Sequence, residues 1–537
     1  MLETSSPYSL TVLNLSSIIA ISKLAKSIPF PQNGEQVLDH HFTEGVGMKA
    51  MKEKRGRIWS LSLAAALTLL TCGQPDPLEP FRLAQGRITA RSLLTDVQAL
   101  SSDQMEGRGT GTAGEDKAAA FIAEQFALAG LRPLRDLGVQ TTRVDPEDYF
   151  QPLSLIGMTK VTDSSRLEIR NEAGPLAFTP GESLTFWSTA QQNSVDVTNA
   201  PLLFVGYGVE APEYDWDDFK GVELQGKVLL FLNDDPPVVE NGVELFGGEA
   251  RTYYGRWNYK FEQAMKHGAA GAFMIHTTES ASYPFSVVQH SGIDESFALD
   301  LPSTGYQVDL LGWVDRQRSE AIARSLGKTL EDLFSLAAQR SFEPIDTGYR
   351  VTAGIETTVR RLESKNVVGV LEGSDPVLKD QVIVFSAHYD HLGVKSGPEG
   401  EDLVFNGAWD NASGTACLLN LARAFASLAE RPRRSIAFLA CAAEEKGLLG
   451  SRWFVSRPPL ELRRIVANYN IDMTQIFGVT TDITAIGHDT NTLGDDLRWA
   501  AGWEGRDRRS SLRVVGDQDP GAGRFYRSDQ VNFAKKG

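Results

Sequence analysis

Short apolar runs, each broken off by polar residues, organise the second half of the chain. The leading one opens the stretch Val-Ile-Val-Phe-Ser-Ala-His-Tyr-Asp-His-Leu-Gly at residues 382–393. Apolarity without alternation predicts a strand of a mostly parallel sheet covered on both faces. Residues 435–441 and 465–471 give a second and a third run, and 366–371 start the same sheet. An Ala- and Leu-rich segment from Gly414 to about Leu428 has helical periodicity, as do 88–100 and 115–129. The last of these carries Ala119, Ile122 and Phe126 on one face and ends at Gly130. From about Tyr149 to Glu356 the composition turns to aromatics and Gly, Pro and Asp turns. There 202–208, 226–233 and 270–276 read as strands and 257–267 as a helix closed by Gly268. The expected fold is α/β, a mixed, mostly parallel sheet flanked by helices, with a β-rich block inserted.

Each predicted strand of the second half runs into side chains that bind metals. His388 and Asp390 follow the first, Glu444 and Glu445 the second and Asp472 the third, while Asp410 sits in the loop at a helix start. Open α/β sheets bind ligands at the carboxyl ends of their strands, where these residues fall. Residues two apart in extended backbone point the same way, so the Asp390 carboxylate is placed to accept the free ring N–H of His388 and turn the other nitrogen to a metal. By the same alternation His391 faces away, which gives it a rim role. At any one position a carboxylate after a strand merely solvates a loop end; four such positions in order describe a site. A hydrolytic dimetal centre needs a bridging carboxylate, terminal His, Asp or Glu ligands and a free carboxylate as base. All but one are present. His267, His276 and His290 have no carboxylate at ligand spacing and read as structural or surface residues, and His488, in a Gly-His-Asp-Thr loop, as exposed.

Gly109-x-Gly111-x-x-Gly114 matches a dinucleotide fingerprint, but no strand precedes it, so it reads as a loop capping the next helix. With 537 residues, 42% of them hydrophobic, the chain is long enough for two or three domains. Its net charge of −16 argues against a nucleic-acid partner. Three cysteines make no disulfide framework; Cys417 and Cys441 read as small buried hydrophobes. Residues 1–50 lack sustained periodicity and read as a non-native extension ahead of a start at Met48 or Met51. Residues 51–72 give a basic head and an apolar run too short to span a membrane, the layout of a signal peptide. Its Leu-x-x-Cys ending resembles a bacterial lipoprotein box with Cys72 as the acylated residue; the alternative is an ordinary secretory signal cleaved nearby. Either exports the protein, to the periplasm or to the outer membrane of a Gram-negative-type bacterium, with a membrane partner only through such an anchor. Residues 73–84 are a proline-rich linker. Asn411-Ala412-Ser413 is a formal glycosylation sequon, discarded because a glycan would block the site. The last residues, 524–537, fall where a doubly wound sheet continues, so truncation is expected.

Together, His388-x-Asp390, Trp409-Asp410-Asn411-Ala412-Ser413-Gly414, Glu444-Glu445-x-Gly447-x-x-Gly450-Ser451 and Asp472-Met473 resemble the M28 family of zinc aminopeptidases. Met105-Glu106-Gly107-Arg108 and Gly130-Leu131-x-Pro133 resemble the opening of its catalytic domain. The resemblance implies a zinc-exopeptidase-like fold of phosphorylase/hydrolase type, peptide substrates and two zinc sites. In it Asp410 bridges the metals, His388 and Asp472 complete one site, Glu445 serves the other, Asp390 supports catalysis and Glu444 is the general base. One position departs. Ser528-Asp529-Gln530 stands where the family has Ser-Asp-His, and a neutral amide oxygen at Gln530 suits Mn2+ better than zinc, so the second site is expected weakened or empty. Asp217-Asp218-Phe219, Gly226-Lys227-Val228 and Ala264-x-x-x-Gly268-Ala269-Ala270-Gly271 resemble a protease-associated (PA) domain. That likeness implies a catalytic domain split into 85–148 and 357–537 around an insertion at 149–356 that acts as a lid. The implied function is a metal-dependent aminopeptidase. The alternatives are a catalytically impaired binding protein on the same fold, a carboxypeptidase and a glutaminyl cyclase.

Overall fold

A computed structural model describes residues 79–133, 145–301, 307–395, 397–398, 400–476, 478, 480–504 and 512–537. The expected extension, signal peptide and Cys72 lie outside the described residues. No described helix is long and apolar enough to cross a membrane.

One strand, Ile345–Leu371, ties the described chain together. Its first part pairs antiparallel with Arg166–Asn171 and Ser194–Phe204, its middle with Phe150–Lys160 and its end with Ser435–Cys441. At that end the sheet runs on through Val382–His388 to Ile465–Asn470, both parallel to their neighbours. At the other it runs on through Val228–Leu232, Gly271–Ile275 and Leu310–Val314, also parallel, and is closed by antiparallel Leu184–Trp187. The result is the mixed α/β architecture that the apolar runs predict, in a single 14-stranded sheet. The junction expected at 356–357 lies inside the long strand, where backbone pairing is unbroken.

Apolarity at every position means burial on both faces, and all seven residues of Val382–His388 and of Ser435–Cys441 are buried. Phe385 faces Phe438 and Tyr469 in register on the two flanking strands and stacks on both, at 5.9 and 5.3 Å between ring centres. Helix Ser413–Ala426 covers this face, with Phe425 5.8 Å from Phe385. The strand expected at 202–208 begins eight residues earlier, at Ser194, and stops at Phe204. Its polar first half alternates exposed and buried positions against the long strand. Its expected end is a turn, because Gly206 and Gly208 take positive φ of 60° and 59°.

Helix Ala113–Leu128, capped by Thr112, buries a carboxyl in its first turn. Glu115 is fully covered, accepting the Gly111 N–H and the Ser364 hydroxyl, each at 2.7 Å. Burial pushes it from the usual 4.5 up to about 8. The folded chain therefore holds a proton that the unfolded chain releases between about pH 4.5 and 8. Stability falls as pH rises through that window, by about 1.4 kcal/mol per pH unit at most. Glu115→Gln is expected to flatten this fall, so that urea midpoints at pH 5 and pH 8.5 differ less in the variant than in the parent. Equal pH dependence in the two proteins would refute the assignment.

Candidate metal centre

The carboxyl ends of three parallel strands deliver the expected side chains to one point. His388 closes Val382–His388, Glu444 and Glu445 follow Ser435–Cys441, and Asp472 follows Ile465–Asn470. Asp410 comes from the loop entering helix Ser413–Ala426. His388 Nε2 lies 3.2 Å from Asp410 Oδ1, 3.3 Å from Asp472 Oδ1 and 4.0 Å from Glu444 Oε2. Beside it, His391 Nδ1 lies 2.7 Å from Glu445 Oε1. Two triads result, each able to bring its ligand atoms within 4.8 Å of one another: His388, Glu444 and Asp472, and His391, Asp410 and Glu445. His388 is 1% exposed and Asp410 38%, so the centre runs from a buried floor to an open mouth. The mouth opens into a cavity of 1540 Å³ lined by Asp410, Glu444, Glu445 and Asp472.

Two expectations need correcting. The Asp390 carboxylate does not take the ring N–H of His388. The nearest His388 nitrogen is 3.8 Å from Asp390 Oδ1, and it is the Asp390 main-chain carbonyl, at 3.2 Å, that meets Nδ1. The carboxylate instead accepts the backbone N–H groups of Glu444 and Glu445, at 3.0 and 3.3 Å, and so fixes the turn that presents both glutamates. Nor does His391 face away. The strand ends at His388, alternation stops with it, and the His391 N–H donates to the Arg108 carbonyl at 3.2 Å, which turns the ring to Glu445. Gln530, the expected weak ligand of the second site, has its amide engaged: its Oε1 accepts from Asn470 and its Nε2 donates to the Phe525 carbonyl, at 3.0 and 2.7 Å.

The other histidines stand elsewhere. Nε2 of His267 is 3.0 Å from Glu210, a partner 57 positions upstream that spacing alone could not supply. His276 is buried among Tyr283, Phe285 and Trp313. The expected exposure of His488 is not found: its side chain, 16% exposed, sits in the cavity wall. Cys417 and Cys441 are buried.

Arg108 is the residue that sequence reasoning passed over, although it ends the Met-Glu-Gly-Arg motif. It is fully buried and makes four bonds, all to main-chain carbonyls: Leu100 at 2.5 Å, Tyr389 at 2.6 Å, Asn406 at 2.7 Å and Gly407 at 2.8 Å. One guanidinium thus clamps the end of a helix, the strand end bearing His388 and the loop leading to Asp410.

Crowding sets the electrostatics. Burial pushes the Glu444 carboxyl well up, reinforced by Asp472, Asp529 and Asp390 and opposed by His388. Burial alone would lower His388, but Glu444, Asp472 and Asp410 hold it well above the usual imidazole value. Asp390 is pushed by burial up to about 6. Glu444 therefore favours its protonated form unless a cation offsets the charge around it. An imidazole with two carboxylates is a donor set that fits zinc, and each triad supplies one.

Fold and site together define a class: an α/β protein with two adjoining imidazole–carboxylate triads at the carboxyl edge of its sheet, each with the donor atoms to hold a metal ion. Residues 366–537 match Peptidase family M28. Aminopeptidase NAALADL1 of Mus musculus is 32% identical over 147 residues, which are 26% of this chain and 18% of that protein. Aminopeptidase YwaD of Bacillus subtilis (strain 168) is 35% identical over 111 residues, 20% of this chain and 22% of that one. The matched stretch therefore spans about a fifth of the length of these relatives. Among solved structures, an aminopeptidase from Aneurinibacillus sp. strain AM-1 is 19% identical with a TM-score of 0.46, over 84% of this chain and 83% of that one.

Proposed function

We propose that the protein is a zinc-dependent aminopeptidase of the M28 type, removing N-terminal residues from peptides. The observation that carries this reading is the pair of triads, whose carboxylates line one cavity, with Asp410 of one triad 3.2 Å from His388 of the other. His388, Asp410, Asp472, Glu445 and His391 would hold the metal pair. When bound, zinc supplies Lewis-acid polarisation of the scissile carbonyl and acidifies water. Glu444, its affinity for protons raised by burial, accepts the proton of the attacking water and returns it to the leaving amine. Asp390 keeps Glu444 and Glu445 at their stations through the two backbone bonds. The Arg108 clamp orders the loop before Asp410.

Hydrolysis of aminoacyl p-nitroanilides by the zinc-loaded chain, abolished by a chelator, tests the activity. Absence of turnover from a folded, metal-loaded protein refutes it. Metal content tests the ligand set separately. The full chain is expected to bind two zinc ions by elemental analysis, His391→Ala one, and Gln530→Ala two. Loss of one ion in Gln530→Ala, with both kept in His391→Ala, would show that Gln530 is the ligand after all.

A further inference from the structure

The sheet ends in an open strand, and that strand lines the cavity of the triads. Ile465–Asn470 is the last strand beyond Val382–His388 and, among the described residues, pairs on that side alone. All of its residues, with Ile471 and Asp472 after it, line the 1540 Å³ space into which the centre opens. A strand edge is a row of main-chain donors and acceptors, which proteins ordinarily blunt with charge, proline or a covering element. Residues 465–470 read Ile-Val-Ala-Asn-Tyr-Asn, with neither charge nor proline.

Bonding on the paired side fixes which groups face the cavity. Asn470 lies opposite Ser386, and the Ile471 N–H donates to the Ser386 carbonyl at 2.8 Å. Successive residues of a strand turn their main-chain groups to opposite sides, so the N–H and C=O of Asn470, and of Asn468 two residues before it, point away from the sheet. Among the described residues these four groups have no hydrogen-bond partner. The asparagine side chains do not fold back to cover them. Asn468 Nδ2 donates to Ser386 Oγ at 3.0 Å, Ser386 Oγ donates to Asn470 Oδ1 at 2.7 Å, and Asn470 Nδ2 donates to Ser528 Oγ at 2.7 Å. The strand also has a direction. It runs towards the centre, and Asp472, two residues past its end, lies 3.3 Å from His388 Nε2.

We propose that the free edge of Ile465–Asn470 takes the peptide substrate as an added antiparallel strand, its N-terminus at the triads and its later residues paired through the main chain to Asn470 and Asn468. What is recognised is an extended peptide backbone, so the cavity selects by length and conformation as well as by side chain. Antiparallel order rests on the aminopeptidase reading above, which requires a free N-terminus at the metals; the open edge does not. Six residues of strand extend about 20 Å, enough for about five substrate residues beyond the first.

Two unmodified peptides test length: Leu-Ala amide, and leucine followed by five alanines, also as the amide. Four forms of the longer one, each N-methylated at one of residues 3 to 6, test the pairing. With the zinc-loaded full chain, kcat/KM for the longer peptide is expected to exceed that for Leu-Ala amide by about ten-fold. An added strand turns every second N–H to its partner. Methylation at one alternate pair, 3 and 5 or 4 and 6, is therefore expected to lower kcat/KM about ten-fold, mainly through KM, and at the other pair to leave it within about two-fold. Loss at all four positions or at none overturns the proposal, as does a length ratio within about two-fold of one. If the edge pairs instead with a second copy of the chain, the protein sediments as a dimer and length has no effect, which also overturns it. Should no peptide be turned over, the aminopeptidase reading fails, and calorimetric binding of the longer peptide and its four methylated forms decides the edge. Affinity lost at alternate positions supports it, and uniform binding or none overturns it.

Discussion

Glu444→Gln is expected to lower kcat by about 10²- to 10⁴-fold on any peptide the enzyme accepts, with zinc content and fold retained. The amide matches the carboxylate in size, so it keeps the contacts of a side chain that is mostly covered, 4.0 Å from His388 Nε2. What it lacks is proton affinity. Burial and three neighbouring acids raise that affinity, so the group is a better base than an ordinary carboxylate. If Glu444 served only as a ligand, the variant would lose metal in step with activity. Measuring kcat and zinc on the same preparation separates the two: activity lost with metal kept supports a base, and a parallel loss removes the assignment.

Arg108→Met is expected to destabilise the fold by more than about 3 kcal/mol. Methionine fills much of the volume but donates nothing, and the four carbonyls that Arg108 serves are left short of donors. An unsatisfied buried polar group costs about 1–3 kcal/mol, and four sharing one donor do not add in full. Arg108→Lys recovers part of the loss, because an ammonium has three donors and no planar fork. The loss is read from the urea midpoint of the chelator-treated protein, so that metal binding does not mask it. A midpoint within about 0.5 kcal/mol of the parent would show that the clamp is not structural.

The strands that carry the ligands were legible because a sheet buried on both faces leaves an unmistakable pattern, apolar at every step of 436–441 and of 382–385. The ligands were legible because strand ends are where such sheets place their chemistry. The long strand was not. Over 356–365 it reads Glu-Thr-Thr-Val-Arg-Arg-Leu-Glu-Ser-Lys, polar and partly exposed, and a shift of composition within it looked like a boundary. Residues around the centre were misread where local rules stop. The alternation that turned His391 outward holds only while the backbone stays extended, and it bends after His388. Motif position pointed to Gln530, but only tertiary contacts show its amide engaged by Asn470 and Phe525. Arg108 gives no periodic signal, since its partners lie 281 to 299 positions away, apart from Leu100.

The unbroken strand Ile345–Leu371 also bears on how a peptide reaches the triads. A hinged cover needs a short linker that can bend, and here the connection lies within a strand of 27 residues, about 90 Å along its path. Swinging the 149–356 block away would tear the interstrand bonds between Phe150–Lys160 and residues 357–367. The block is therefore a fixed girder. On the aminopeptidase reading, access for a peptide is then set by the fixed dimensions of the mouth.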